Sequence, residues 1–374
     1  MNFDLSEREK MIQSAAREFA AKEVLPRAAE IDRTAEFPLE LVRRMAGMGY
    51  FGLAYPAEYG GSGSGYLAYA LVIEQLARAS MTAGAIVAVS VLSPEALLRF
   101  GSQAQKNRFL APLVAGRKLG CFCFTEPGTG SDPKAIVTRA RRTGRHYVIG
   151  GEKKFISLAR VAGQALVFAR DDTDRVSAFI VPAKSPGFEA GEPSDTIGLR
   201  GFGACAVHLD DVRVPAGNLL GEKGRGFDIM LEAISVERVG VAAQATGVAQ
   251  GALDLSVEYS KGRVAYGKPI SGMPTIQWLL AEMASRVEAG RWLTYRTAFL
   301  RDQGRGIRNE SAVAKLFCSQ MAVEVTRMAM QVHGAYGTMK SLPVERLYRD
   351  AKMTEVYVGV SEIQRAIIAS DLIR

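Results

Sequence analysis

The chain has 374 residues, 48% hydrophobic and 23% charged, values of a globular protein long enough to bury a large core in two or three packing units. A formal net charge of +8 would suit a nucleic-acid binder, but the basic residues are dispersed; the densest run, Arg139, Arg141, Arg142 and Arg145, precedes Tyr147-Val-Ile and reads as an exposed hairpin loop, so nucleic acid is not expected. No unbroken apolar run of about 18 residues is visible, and the chain opens Asn2-Phe-Asp-Leu-Ser-Glu with charges following at once, which predicts a cytoplasmic protein with neither export signal nor membrane span.

The first predicted helix starts at Ser6, an N-cap candidate with Glu9 three residues on, and Met11, Ile12, Ala15, Ala16, Phe19 and Ala20 then recur at helical spacing. Leu41-Val-Arg-Arg-Met45 and Leu71-Val-Ile-Glu-Gln-Leu-Ala77 carry the same period, with a glycine-rich loop, Tyr59 to Gly65, between them. From about Leu119 to Leu220 the texture changes to short alternating strands, such as Ala165-Leu-Val-Phe-Ala and Val176-Ser-Ala-Phe-Ile-Val.

The first of these strands leads into Cys121-Phe-Cys-Phe-Thr-Glu-Pro-Gly-Thr-Gly-Ser-Asp132. Phe122 and Phe124 share one face at period two, Thr125 supplies a hydroxyl where the strand ends, and Pro127, Gly128 and Gly130 force a turn that closes on Ser131 and Asp132. Glycines let backbone N–H groups approach a ligand, so a flat, polar-edged cofactor fits here, as does a plain turn after a core strand. Cys121, Cys123, Cys205 and Cys318 do not form a secreted disulfide pattern, and with only His146, His208 and His333 to join them no metal site is expected. Helical period returns from Phe227, after Gly221-Glu-Lys-Gly-Arg-Gly226, and holds to the end.

Thr125-Glu-Pro-Gly-Thr-Gly-Ser-Asp132 resembles the flavin-side motif of the acyl-CoA dehydrogenase family, and six further segments fit that family in order. Gly151-Glu-Lys-Lys-Phe-Ile-Ser157 resembles its second flavin strand, Asp210-Asp-Val-Arg-Val-Pro215 its barrel exit, and Glu237-Arg238 the opening of a family helix. Arg263-Val-Ala-Tyr-Gly-Lys268, Gln331-Val-His-Gly334 and Ser361-Glu-Ile-Gln-Arg365 complete the set, which spans essentially the whole chain. The resemblance implies an α+β fold: an N-terminal α-helical domain over 1–118, a β-barrel domain over 119–222 and a C-terminal helical bundle over 223–374. It also implies FAD, an acyl-CoA substrate, a homotetramer and electron transfer flavoprotein as partner.

Carried over position by position, Phe122, Phe124, Thr125, Gly130 and Ser131 line the isoalloxazine, with Phe155 where the family often has Trp, then Ile156, then Ser157 where it often has Thr. Both replacements keep an aromatic plane and a hydroxyl. Arg263 and Tyr266 match residues that reach the pyrophosphate and adenine across a subunit interface. Gln277, Gln331, Gly334 and Ala335 lie beside them, and Val360 and Glu362 close the cofactor set toward the adenosine half. Pro274 departs from a family Gln. Ser131, Arg238, Tyr357, Val358 and Gly359 match substrate-contacting positions.

The implied reaction removes a weakly acidic α-hydrogen from a thioester and therefore needs a positioned carboxylate. Most relatives place a Glu where this chain has Val358, which leaves only the backbone N–H to polarise the thioester carbonyl. In isovaleryl-CoA and long-chain relatives the base comes instead from the residue before the helix Arg, here Glu237. Burial should raise its pKa toward neutrality, with Arg238 opposing if it points inward. Glu95 and Glu355 are further candidates. Two alternatives stay open: an acyl carrier protein thioester, with Arg139 to Arg145 as the acidic partner's site, and a catalytically silent flavin- or acyl-CoA-binding subunit. At Gly198-Leu-Arg-Gly-Phe-Gly-Ala-Cys205 hydroxyls common in relatives are missing, which bears on the electron acceptor.

Overall fold

The computed structural model describes residues 4–373; Met1 to Phe3, part of the segment read for a signal, and Arg374 lie outside the described residues. The N-terminal helices are α1 (Glu7–Phe19), α2 (Leu25–Thr34), α3 (Leu39–Gly47), α4 (Gly65–Ala79), α5 (Met81–Val89), α6 (Leu92–Phe100), α7 (Gln103–Gln105) and α8 (Ala111–Val114). Ser6 caps α1 as its sequence predicts: its hydroxyl accepts the Glu9 N–H at 3.3 Å, and the Glu9 carboxylate accepts the Ser6 N–H at 2.6 Å.

Met81–Phe100 comes nearest, among the described residues, to the apolar run that the opening paragraph did not find. Its composition is apolar enough for a membrane-crossing helix, with a mean hydropathy of 1.7 in the best window, because Thr82, Ser90, Ser93 and Glu95 interrupt the run without lowering its average far. In the fold 83% of that window is buried, packed among α4, β1 and a long C-terminal helix.

Eight strands follow: β1 (Leu119–Cys123), β2 (Arg139–Thr143), β3 (His146–Ile156), β4 (Ala162–Arg170), β5 (Val176–Pro182), β6 (Phe188–Pro193), β7 (Cys205–Pro215) and β8 (Leu219–Leu220). They form one mixed sheet in the order β6-β7-β3-β2-β4-β5-β8, with β1 parallel to β4. The sheet curls around its own core, in which Tyr147, Ile149, Val167, Phe179, Val181, Val207 and Val212 meet. The opposite faces of β4 and β5, with Leu166, Phe168 and Ile180, join the helical core instead. This explains why both strands are apolar without interruption: each is covered on two sides.

The C-terminal helices are α9 (Gly226–Gly262), α10 (Pro274–Asp302), α11 (Arg308–His333), α12 (Pro343–Met353) and α13 (Ser361–Leu372), with a two-stranded ribbon, β9 (Val264–Ala265) and β10 (Lys268–Pro269), after α9. α9 is the central packing element, in contact with α4, α5, α6, α10, α11 and α12. It approaches α4 closely because Gly247 lacks a side chain; a Cβ there would lie 2.3 Å from the Glu74 carbonyl oxygen.

Candidate active site

The loop after β1 is held from inside the β domain. Glu126 turns its carboxylate away from solvent, where it accepts the Val137 N–H at 2.7 Å, the Thr138 N–H at 3.1 Å and the Lys153 ammonium at 2.7 Å. Burial opposes ionisation, but Lys153 holds the Glu126 carboxyl below the ordinary range. The Lys153 side chain is fully buried and donates as well to the carbonyls of Phe168 (2.6 Å) and Phe124 (3.3 Å). This pair was not among the sequence candidates. Its signal was a Lys at an inward-facing position of β3, in a segment whose companion motif carries the Glu.

The Lys154 N–H donates to the Thr125 carbonyl at 2.8 Å, so the two motif segments lie side by side. Phe122 is half-buried against Phe168, ring centroids 4.7 Å apart, and Thr125 and Ser157 are half-buried. Gly130 and Ser131 are exposed, and a Cβ at Gly130 would meet nothing within 4 Å. Phe155 has a left-handed backbone (φ 57°) and is 62% exposed, which presents a flat ring to open space. Two predicted members turn elsewhere: the Phe124 ring lies in the core between Phe168 and Phe227, and the Ile156 side chain is buried inside the β domain. Exposed Phe155, half-buried Phe122, the hydroxyls of Thr125, Ser131 and Ser157, and the open glycine turn together fit a flat ring system with polar edges.

A second cluster forms at the far end of α9. The Arg263 guanidinium lies over the Tyr336 ring at 5.7 Å, next to Gln331, Gly334 and Ala335, and Tyr259 stacks on His333 at 4.2 Å. Tyr266 is 95% exposed; Gln277 is also exposed and donates to the Ser271 carbonyl. Arg263, Gln331, Gly334 and Ala335 are exposed as well, whereas His333 is buried.

The third cluster surrounds Glu237 on α9. Glu237 is 4% exposed, and among the described residues none donates a hydrogen bond to its carboxylate. Burial raises its pKa to about 8, with neighbouring Arg238 pulling the other way. Arg238 is 3% exposed, and its Nε and Nη1 lack partners among the described residues. The Tyr357 hydroxyl donates to Gln244 at 2.6 Å. Val358 (φ 56°) and Gly359 (φ 85°) are both left-handed, a costly geometry for a β-branched side chain. It is fixed by Lys315, which donates to the Gly359 carbonyl at 2.8 Å, and by Gln364, which donates to the carbonyls of Val358 at 3.2 Å and Gly359 at 2.8 Å. Glu362 is exposed toward Arg365, and Val360 is half-buried.

Glu95 is not available as a base. It is fully buried, with a hydrogen bond from the Tyr66 hydroxyl at 2.5 Å and ion pairs to Arg301 and Arg99. Glu355 pairs with Lys352 at 2.6 Å. The competing carboxylates are occupied, and Glu237 is not.

Helical domain, curled sheet and helical bundle, with a glycine turn beside an exposed aromatic ring, define a flavoprotein dehydrogenase architecture. The chain belongs to the acyl-CoA dehydrogenase family: the family's N-terminal domain matches residues 6–117, its middle domain 121–212 and its C-terminal domain 224–373. It is an oxidoreductase acting on CH–CH bonds, with FAD as cofactor. It is similar to acryloyl-CoA reductase (NADH) of Anaerotignum propionicum, 41% identical with 100% of this chain and 96% of that protein covered. Human mitochondrial short-chain specific acyl-CoA dehydrogenase is also 41% identical, with 99% and 91% covered. Among solved structures, butyryl-CoA dehydrogenase from Megasphaera elsdenii superimposes with a TM-score of 0.98 at 36% identity, covering 100% of both chains.

Proposed function

We propose that this chain oxidises an acyl-CoA thioester to the 2-enoyl-CoA with Glu237 as the general base. The observation that carries the proposal is a buried carboxylate without a hydrogen-bond partner among the described residues, its pKa raised to about 8, in a chain whose Val358 cannot take a proton. A base works best with a pKa near the working pH, and a value of about 8 leaves a usable fraction of Glu237 ionised near neutrality.

Phe122, Thr125, Gly130, Ser131, Phe155, Ser157 and the backbones of Phe124 and Ile156 would hold the flavin ring of FAD, which supplies, when bound, the acceptor for the β-hydrogen as hydride. The Val358 N–H donates to the thioester carbonyl and favours negative charge on that oxygen as Glu237 takes the α-proton. Lys315 and Gln364 hold the Val358–Gly359 peptides in the orientation this requires. Tyr357, Gly359, Ser131 and Arg238 border the thioester. Exclusion of water around Glu237 keeps the carboxylate reactive.

Arg263, Tyr266, Gln277, Gln331, Gly334, Ala335, Val360 and Glu362 serve the diphosphate and adenosine half, with Arg263 and Tyr266 reaching a cofactor held mainly by a neighbouring subunit. The exposure of all of these but Val360, and that of Trp278 (62%) and Phe299 (53%) on the same helical domain, supports a homotetramer. Electrons leave to electron transfer flavoprotein. The loop at Arg200 offered for that contact is firmly seated: Arg200 binds Asp195 at 2.6 Å and the Asp32 carbonyl at 2.8 Å.

A carrier-protein thioester has less support. Arg139 is paired with Asp174, and the hairpin tip at Arg145 lies roughly 40 Å along β3 from Ser157 at about 3.3 Å per residue. The test is anaerobic flavin bleaching by a panel of acyl-CoA and acyl carrier protein thioesters, with the purified chain alone. Bleaching by CoA thioesters supports the proposal; bleaching by none of them returns the silent-subunit reading.

A further inference from the structure

Glu237, Gly240 and Gln244 lie at i, i+3 and i+7 and so share one face of α9. Tyr69 of α4 closes that face one turn beyond the carboxylate. A Cβ at Gly240 would come within 2.4 Å of the Tyr69 hydroxyl oxygen and 3.0 Å of the Ala88 Cβ, so only glycine leaves room for the phenol. The ring is fixed: Tyr69 is 3% exposed, and its hydroxyl donates to the Ala88 carbonyl at 3.0 Å.

Its neighbours are fixed as well. The Tyr55 hydroxyl donates to the Val91 carbonyl at 3.2 Å, and the Tyr66 hydroxyl donates to Glu95. The space that Tyr69 lines together with Tyr55, Val87 and Val91 amounts to about 10 Å³, room for no more than one water. Further along the α9 face, Tyr357 covers Gln244. An acyl chain extending past Glu237 along this face therefore meets the Tyr69 ring, with no cavity behind it into which the ring could retreat.

We propose that Tyr69 is a specificity-determining residue that limits the acyl group reaching Glu237 to short chains. This rests on the reading of Glu237 as the base, because Glu237 fixes where the α-carbon sits. Aromatic bulk blocks the path, and the hydroxyl only anchors the ring. A methylene accommodated in an apolar pocket is worth about 10- to 200-fold in discrimination, so denying several of them is a strong filter.

The test uses FAD-loaded protein in the Glu237→Gln background, where chemistry is slow and binding of butyryl-, hexanoyl- and octanoyl-CoA is read from the shift in flavin absorbance. With Tyr69 present, butyryl-CoA should bind more tightly than octanoyl-CoA by about tenfold or more. Tyr69→Ala should close or invert that ratio, and Tyr69→Leu should do so in part if the alanine variant does not fold. Tyr69→Phe should keep the short-chain preference, since the ring remains. Equal binding of butyryl- and octanoyl-CoA with Tyr69 in place overturns the proposal, as does an unchanged ratio in a flavin-replete Tyr69→Ala or Tyr69→Leu protein. Failure of the base reading would show separately, as undiminished flavin reduction in Glu237→Gln, and the chain-length ratio would then be read from the thioester concentration that half-saturates bleaching.

Discussion

The Lys153 ammonium and the Glu126 carboxylate meet at 2.7 Å inside the β domain, with neither side chain more than 1% exposed. They connect the middle of β3 to the loop after β1, the two segments whose far sides form the proposed flavin bed.

Removing one partner should be far more damaging than its chemistry suggests, because the other is left buried and charged. Lys153→Met or Glu126→Gln should lower stability by about 3–5 kcal/mol and reduce retained FAD. The double variant should recover part of the loss. Denaturant midpoints and flavin content per chain measure both; a Lys153→Met protein as stable as the parent would remove the pair from this role.

Replacing the proposed base separates chemistry from packing. Glu237→Gln should retain FAD and slow anaerobic flavin reduction by about 10²- to 10⁴-fold. Adding Val358→Glu should restore part of the rate. Glutamate is not β-branched, so it tolerates the left-handed backbone at this position better than valine does, although it must fit a pocket shaped without it. In the parent the rate of flavin reduction should rise with pH as Glu237 loses its proton, with a midpoint near the raised value of about 8. A flat profile across that range argues against Glu237.

The same raised pKa makes a stability prediction of fixed sign. A carboxyl whose folded-state pKa lies above its unfolded value favours the fold while protonated, below the unfolded value of 4.5, and that contribution is lost as pH rises through about 8. Glu237→Gln carries no charge at any pH. Its melting temperature relative to the parent should therefore increase from about pH 4.5 to about pH 8 and level off above that; a difference independent of pH would mean that Glu237 is better solvated than its burial implies.

Arg263→Ala tests the intersubunit reading. If Arg263 reaches a cofactor seated chiefly in a neighbouring subunit, flavin retention and the oligomer should weaken together, since a ligand that bridges subunits stabilises both. Sedimentation of the parent as a flavin-replete monomer would be incompatible with it.

The sequence alone determined the family, the order of helical domain, sheet and helical bundle, the Ser6 cap and the β2–β3 hairpin, because each is written in neighbouring residues: a turn, a cap or a periodicity. It also singled out Glu237 and the loss of a carboxylate at Val358. It did not show that Glu95 is held by Tyr66 and Arg301 as well as by Arg99 one turn along its own helix, since Tyr66 and Arg301 come from α4 and α10, remote in the chain. Nor did it show the Glu126–Lys153 pair, or that Phe124 and Ile156 turn their side chains into cores while Phe155 stays open. Alternation predicts two faces of a strand, but a β-bulge between Lys153 and Ile156 and a left-handed Phe155 decide which face each residue takes. Tyr69 was invisible for a similar reason. Its ring matters only because α4 and α9 touch at Gly240, and contact between helices some 170 residues apart is settled by packing density in three dimensions, which local pattern does not encode.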